Sequence, residues 1–337
     1  MLISLRPSSS LPATPLADSL RSALASGDET RLEVVTAVEP ESRRDALLAL
    51  ALVHDLFTAP LASVGAAARF EHHPAIAQLK TRLESEFLSA LSQPAAGRQV
   101  GEAAVEMMQR IAAHDLVPPV YDWLADEASL DEMRSYLALE GGPDGGFDDL
   151  VALCQVGLEG EPKLELAQNY WDEMGRGTPS EVHTELQRRM ARALGIEAVP
   201  REQQPVEALE RPLLGTTLAT NRWMQPELIG ALGLIELQAG PRCRRVVKGL
   251  ERVGVPADAV PFYAEHAVAD PRHGKDWLVH VVAPLARDVP EWGPRIVAGA
   301  RWRAEVNARF FGAALRWFAP ERAGRENPLA EPVRHSA

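Results

Sequence analysis

The chain has 337 residues, 46% hydrophobic and 24% charged, a globular balance long enough for one large core or a domain with a substantial extension. A net charge of −12 leaves no broad basic footprint for phosphate backbones, which excludes nucleic acid as an expected partner. Two distant cysteines, Cys154 and Cys243, argue against a disulfide scaffold or a zinc ribbon and suit a reducing compartment.

Aromatic residues make up only 6%, while Ala, Leu and Glu are abundant, so helices are favoured over strands. Residues 1–14, rich in Ser and Pro, read as a disordered terminus with no signal-peptide core. From Leu16 to about Ala113 the pattern predicts several helices, with apolar residues at three-to-four spacing over Arg43–Leu56 and Ile76–Leu91. Pro118-Pro119 punctuates the chain before a helix from Tyr121 to Leu139, which the glycine-rich Gly141–Gly146 stops. Further helices are predicted from about Phe147 to Gly157 and from about Pro162 to Met174. Gly175-Arg-Gly177 ends the second, and Thr178, Pro179 and Glu181 read as an N-cap, a first-turn proline and a capping-box glutamate.

Later helices are expected near 225–238, 241–253, 258–270, 273–287 and 292–318, with a frayed tail from Pro320. The basic cluster Arg242, Arg244, Arg245, Lys248 and Arg252 reads as a solvated helix face. No repeat of 30 to 45 residues and no βαβ unit is found, so the fold class is all-α. No apolar stretch reaches the ~20 residues that span a bilayer, and a cytoplasmic protein is expected. The excess of arginine over lysine hints at a GC-rich bacterial genome.

The sharpest local feature is His266-x3-Asp270-x2-His273. On one helix, positions i, i+4 and i+7 fall within about 60° of one another, so two imidazoles and a carboxylate would project toward one point. That donor set suits iron, manganese or zinc. A competing reading makes Asp270 an N-cap and Pro271 a first-turn proline, which breaks the helix and leaves His273 exposed; a kinked helix reconciles the two. Glu173 and His183, ten residues apart, fit poorly on one straight helix, but the glycine break and fresh cap place them on separate pieces. Glu140 stands directly before the glycine stop. Glu236 is embedded in the apolar run Ile229–Leu237, where an ionised carboxylate is costly unless paired or bound to a cation.

The stretch Lys163–Gly177 with Val182-His183-Thr184, the Phe147-Asp-Asp-Leu segment, Glu140 and the His-Asp-His run resemble, in the same order, the iron-containing redox enzymes of the haem-oxygenase-like diiron superfamily, over roughly residues 70–320. The resemblance implies a haem-oxygenase-like seven-helix bundle with a helical N-terminal extension. With the composition of the two ends, this divides the chain into a disordered 1–14, an extension over 15–115 whose part from about 70 could belong to the bundle, a diiron domain over 116–319, and a flexible tail over 320–337. It implies two Fe(II) per chain with O2 as co-substrate, no haem, and Glu173, His183, Glu236, His266, Asp270 and His273 as ligands.

Glu140 would be the additional ligand associated with N-oxygenating members, whose Glu–His interval the ten-residue spacing here resembles more than that of the fatty-acid decarboxylating branch. Pro271 is a departure that bears on His273. The expected activity is oxygenation of a small metabolite, N-oxygenation of an amine or amino acid being favoured over oxidative C–C cleavage, desaturation or decarboxylation. A metal-free helical binding or scaffold protein is the contrasting class. Tyr170, Arg222 and Trp223 are candidate pocket residues, Arg222 for a substrate carboxylate. The expected partners are a small-molecule substrate and an external electron donor, with no membrane; a homodimer is compatible with the chain.

Overall fold

The computed structural model describes residues 15–92, 101–140 and 146–323. The expected disordered start, most of the glycine stop and the tail beyond residue 323 lie outside these, while Pro320–Ala323 is a short helix. Every regular element among the described residues is helical, as the composition leads one to expect. None of these helices is long and apolar enough to cross a membrane.

A central helix, Gln225–Arg252, packs on one side against Pro261–Asp276 and on another against Trp292–Phe318. Its approach to the last is backbone to backbone. A Cβ at Gly230 would lie 1.7 Å from the Ile296 carbonyl oxygen, and one at Gly299 would lie 1.8 Å from that of Glu227. Only glycine permits that spacing.

Two hydrophobic clusters flank this framework. One joins N-terminal helices, through Leu20, Leu48, Leu79 and Met108, to Leu214, Leu228, Trp277 and Ile296. The other joins Trp123, Tyr136 and Leu186 to Val246, Phe262 and Phe310. The helices before residue 115 therefore bury their apolar faces in a core they share with the later ones.

Several boundaries differ from the sequence pattern. The segment expected as one helix over 121–139 is two, Pro119–Asp126 and Leu130–Glu140. Ser129 starts the second: its hydroxyl accepts from the Glu132 N–H at 3.3 Å, and Glu132 Oε2 accepts from the Ser129 N–H at 2.8 Å. Helix Val206–Ala219, with Pro212 inside, was not anticipated. The central helix runs unbroken through Pro241, where two helices were expected.

Thr178 makes no side-chain cap; Pro179–Glu181 is a 3-10 turn, and the next helix opens at His183. The basic cluster is not merely a solvated face. Arg242 is buried and donates to the carbonyls of Asp115 and Leu116, and Arg252 donates to those of Leu124 and Ala125. Arg252 thereby satisfies last-turn carbonyls of Pro119–Asp126 that lack intrahelical partners, and Arg242 those of the two residues after helix Gly101–His114.

Candidate metal centre

Helix Gly160–Glu173 presents Asn169, Asp172 and Glu173 on its buried face, at i, i+3 and i+4. The chain must then reverse tightly to return His183. Gly175 (φ 59°), Arg176 (φ 52°) and Gly177 (φ 84°) all adopt left-handed backbone. At Gly175 a side chain is excluded twice over, since a Cβ would also sit 2.4 Å from the Glu181 carbonyl carbon. The turn delivers His183, the first residue of helix His183–Leu194, to Glu173: Nδ1 lies 2.8 Å from Oε2.

Helix Pro261–Asp276 carries the other three-residue set without breaking at Pro271. Two neighbours on the central helix make this feasible. The Pro271 ring lies against Gly240, where a Cβ would approach its Cδ to 2.7 Å. The Ala267 carbonyl, which loses the N–H of residue 271, accepts from Arg244 Nη1 at 2.9 Å. The helix then relaxes into a π-helical segment, Trp277–Val282, of the kind that often adjoins functional sites.

These elements bring six of the seven expected ligands into two triads. Glu173, His183 and His266 form one, and Glu236, Asp270 and His273 the other; within each triad the donor atoms lie within 4.8 Å of one another. Five of the six residues are buried, and His266 is partly so. Hydrogen bonds select which imidazole nitrogen faces each site. His266 Nδ1 is 2.7 Å from the Phe262 carbonyl oxygen, leaving Nε2 for the triad. His273 Nε2 is 3.0 Å from Asp172 Oδ2, leaving Nδ1 at 3.6 Å from Glu236 Oε2 and 3.9 Å from Asp270 Oδ1. Asn169 Nδ2 donates to Glu236 Oε1 at 2.8 Å and fixes that carboxyl.

The residues fit a cation on chemical grounds. His273 Nδ1 and Asp270 Oδ2 are buried without hydrogen-bond partners, a costly state for polar atoms unless a ligand completes them, and His183 Nδ1 faces only the Glu173 carboxylate. The protonation equilibria are displaced accordingly. Burial, then the neighbouring Glu236 and Glu173 carboxylates, push the Asp270 carboxyl well above its ordinary range. Burial lowers the His273 imidazole, but Glu236 and Asp172 outweigh it and raise its pKa to about 9. Burial likewise opposes protonation of His183, and Glu173 reverses the effect, while His266 stays low because burial dominates. A cluster that attracts protons this way is short of positive charge. Carboxylate and imidazole donors of this kind suit iron, manganese or zinc.

Glu173, His266, Glu236 and Asp270 open on one cavity of about 130 Å³. Glu140 lines it too but belongs to neither triad. Its carboxyl accepts hydroxyl bonds from Tyr121 at 2.7 Å, Tyr136 at 3.2 Å and Tyr263 at 2.9 Å. Burial first, and the Glu140 charge second, raise all three tyrosines well above their ordinary range, so they remain neutral donors.

The expected pocket residues lie elsewhere. Tyr170 sits between the inward-facing Asn169 and Asp172, turns aside on the helix, and packs on the first hydrophobic cluster. Arg222 lines a separate, largely apolar cavity with Phe57, Leu153 and Leu218. Trp223 is 68% exposed beside Arg295. In their place Arg211, Arg242 and Arg303 line the metal-side cavity. Sequence reasoning passed over Arg303 and Asn307, whose signal was a polar i, i+4 pair within an otherwise apolar face of a long helix.

A model of the iron-containing redox enzyme family, a haem-oxygenase-like family, matches residues 134–308, more than half of the chain. The matched span contains all six triad residues and Glu140. The chain belongs to this family. The iron-containing redox enzyme therefore has an all-α, haem-oxygenase-like fold and is an iron oxidoreductase, and its two triads are where its residues suit iron. No curated protein matches the chain.

Proposed function

We propose that this iron-containing redox enzyme is a non-haem diiron oxygenase or oxidase that uses O2 on a small metabolite, with N-oxygenation of an amine or amino acid as the favoured reaction. One observation carries the reading: two His–carboxylate triads, the second with buried donor atoms left unpartnered, open on a single cavity. Glu173, His183 and His266 would hold one iron and Glu236, Asp270 and His273 the other. Bound ferrous iron would supply the electrons that activate O2, which is the oxidant.

The chain's own residues do the rest. Phe147, Ile235, Ala239 and Phe262 give the cavity apolar walls that restrict water. The positive charges of Arg211, Arg242 and Arg303 along its lining, guanidinium groups also bonded within the fold, favour a carboxylate-bearing substrate whose amine faces the triads. Tyr263 keeps its hydroxyl proton and donates it to Glu140 Oε2, which holds that carboxylate in the cavity wall. Glu140 itself is within this cavity and serves as the candidate seventh ligand. An external electron donor would restore ferrous iron between turnovers.

The test is anaerobic Fe(II) titration followed by O2 consumption across a panel of amines and amino acids, with isotopically labelled O2. Two irons per chain and label retained on nitrogen are expected. An alkene or a shortened carbon chain would instead establish oxidative cleavage or desaturation, and a protein that binds no iron stoichiometrically defeats the reading altogether.

A further inference from the structure

The three imidazoles of the two triads are not anchored alike. His266 is held through Nδ1 by a neutral acceptor, the Phe262 carbonyl. His273 is held through Nε2 by a carboxyl, Asp172 Oδ2, at 3.0 Å. Asp172 is 3% exposed and is itself fixed from outside: Arg272 Nη2 donates to the same oxygen at 2.8 Å, and Arg176 Nη1 stands 3.6 Å from Oδ1. Arg176 reaches that position from left-handed backbone, an unfavourable conformation for a residue with a side chain, in the turn that also returns His183.

The geometry points to Asp172 as a positioning residue that makes the two metal positions inequivalent. Its carboxyl engages Nε2 of His273, which turns Nδ1 toward Glu236 and Asp270, and fixes the ring plane. A carboxylate on the distal nitrogen also makes the imidazole a stronger donor, and such outer partners typically contribute a factor of 10–100 in metal affinity. The Glu173–His183–His266 position has no such charged anchor on His266. This inference rests on reading the triads as metal sites.

The test compares Fe(II) and Co(II) titrations of the full-length wild-type protein with those of Asp172→Asn, which keeps the shape and removes the charge. Two binding steps are expected in the wild type. In the variant one step weakens by about 10–100-fold, its Co(II) absorption bands shift, and the other step is unchanged, which also reports a folded chain. In a His273→Ala background the Asn substitution should add nothing, because no ring remains to be positioned. Wild-type affinity and spectrum at both steps, or an equal loss in the His273→Ala background, overturns the proposal. If Asp172→Asn loses both ions, Asp172→Glu decides: recovery of the weakened step is expected, and loss of both again assigns Asp172 to folding alone and overturns it. A wild-type protein that takes up neither metal refutes the metal reading itself, a result distinct from two normal steps in the variant.

Discussion

Arg244 Nη1 donates to the Ala267 carbonyl oxygen at 2.9 Å, supplying the hydrogen bond that Pro271 removes from its own helix. The pairing explains how a proline can stand between two residues of a metal-binding set. A proline inside a helix both removes an N–H and presses its ring toward the preceding turn. Here the guanidinium replaces the donor and Gly240 accommodates the ring.

Gly240→Ala should therefore displace Pro271 and with it His273. Overpacking of this kind costs about 1–3 kcal/mol. We expect a lower melting temperature and weaker iron uptake at the Glu236–Asp270–His273 position, with most of both effects removed by adding Pro271→Ala. Wild-type melting and iron stoichiometry in Gly240→Ala would show that the contact is not restrictive.

How much of this was legible in the sequence follows the range of the interactions. The His266–Asp270–His273 set obeys helical periodicity, which is local, and Glu236 stood out as a single carboxylate in an apolar run. The glycine break between Glu173 and His183 was also local, although the expected Thr178 cap does not form. The division into two triads was not legible, because it joins residues such as Glu173 and His266 that are distant in the chain. The same holds for Tyr121 and Tyr263 on Glu140 and for the arginines along the cavity. Arg222 was a reasonable local guess that tertiary packing placed in a different cavity. Pro241 and Pro271 misled in the same way, since each stands inside an unbroken helix, and at Pro271 a glycine of the neighbouring helix leaves room for the ring.

Gly175→Ala tests the turn that returns His183. The residue sits at φ 59°, and its Cβ would meet the Glu181 backbone at 2.4 Å. Left-handed backbone alone costs an L-residue roughly 1–2 kcal/mol, and the collision adds to it. We expect the segment to shift and the Glu173–His183 approach to be lost. Calorimetry should show destabilisation above 1 kcal/mol, and metal titration should show one step lost and the other retained. An unchanged titration would separate the turn from the metal position.

Iron itself should stabilise the fold. The triads tie together helices 160–173, 183–194, 225–252 and 261–276, and in the metal-free protein they leave buried donors unpartnered. A ligand that binds only the folded state adds about 2.7 kcal/mol when present at 100 times its dissociation constant. Anaerobic Fe(II) should raise the melting temperature and chelator should return it. In Glu236→Gln, which keeps a partner for Asn169 but weakens a metal donor, the increment should be smaller. A melting curve indifferent to Fe(II) in the wild type would count against a buried iron site.

Acid should destabilise the N-terminal helices independently of the metal centre. His54 is almost wholly buried, with Nε2 at 2.9 Å from Glu84 Oε1 and Nδ1 at 2.7 Å from the Thr216 hydroxyl; Lys80 Nζ lies 2.9 Å from the same Glu84 oxygen. Burial, only partly offset by Glu84, lowers the imidazole below its ordinary 6.5. For Glu84 burial acts upward but is outweighed by His54 and Lys80, so its carboxyl falls below the usual 4.5. In both cases the folded state binds its proton less readily than the unfolded chain, so both contributions are present above the unfolded value and are lost as pH falls through the folded one. The His54 loss begins below about pH 6.5 and the Glu84 loss below about 4.5. A single group limits the slope to about 1.4 kcal/mol per pH unit. Denaturant unfolding of metal-free protein should show stability declining from pH 6.5 downward, and His54→Gln, which does not titrate, should flatten the upper part of that decline. An identical pH dependence in the variant would place the acid sensitivity elsewhere in the chain.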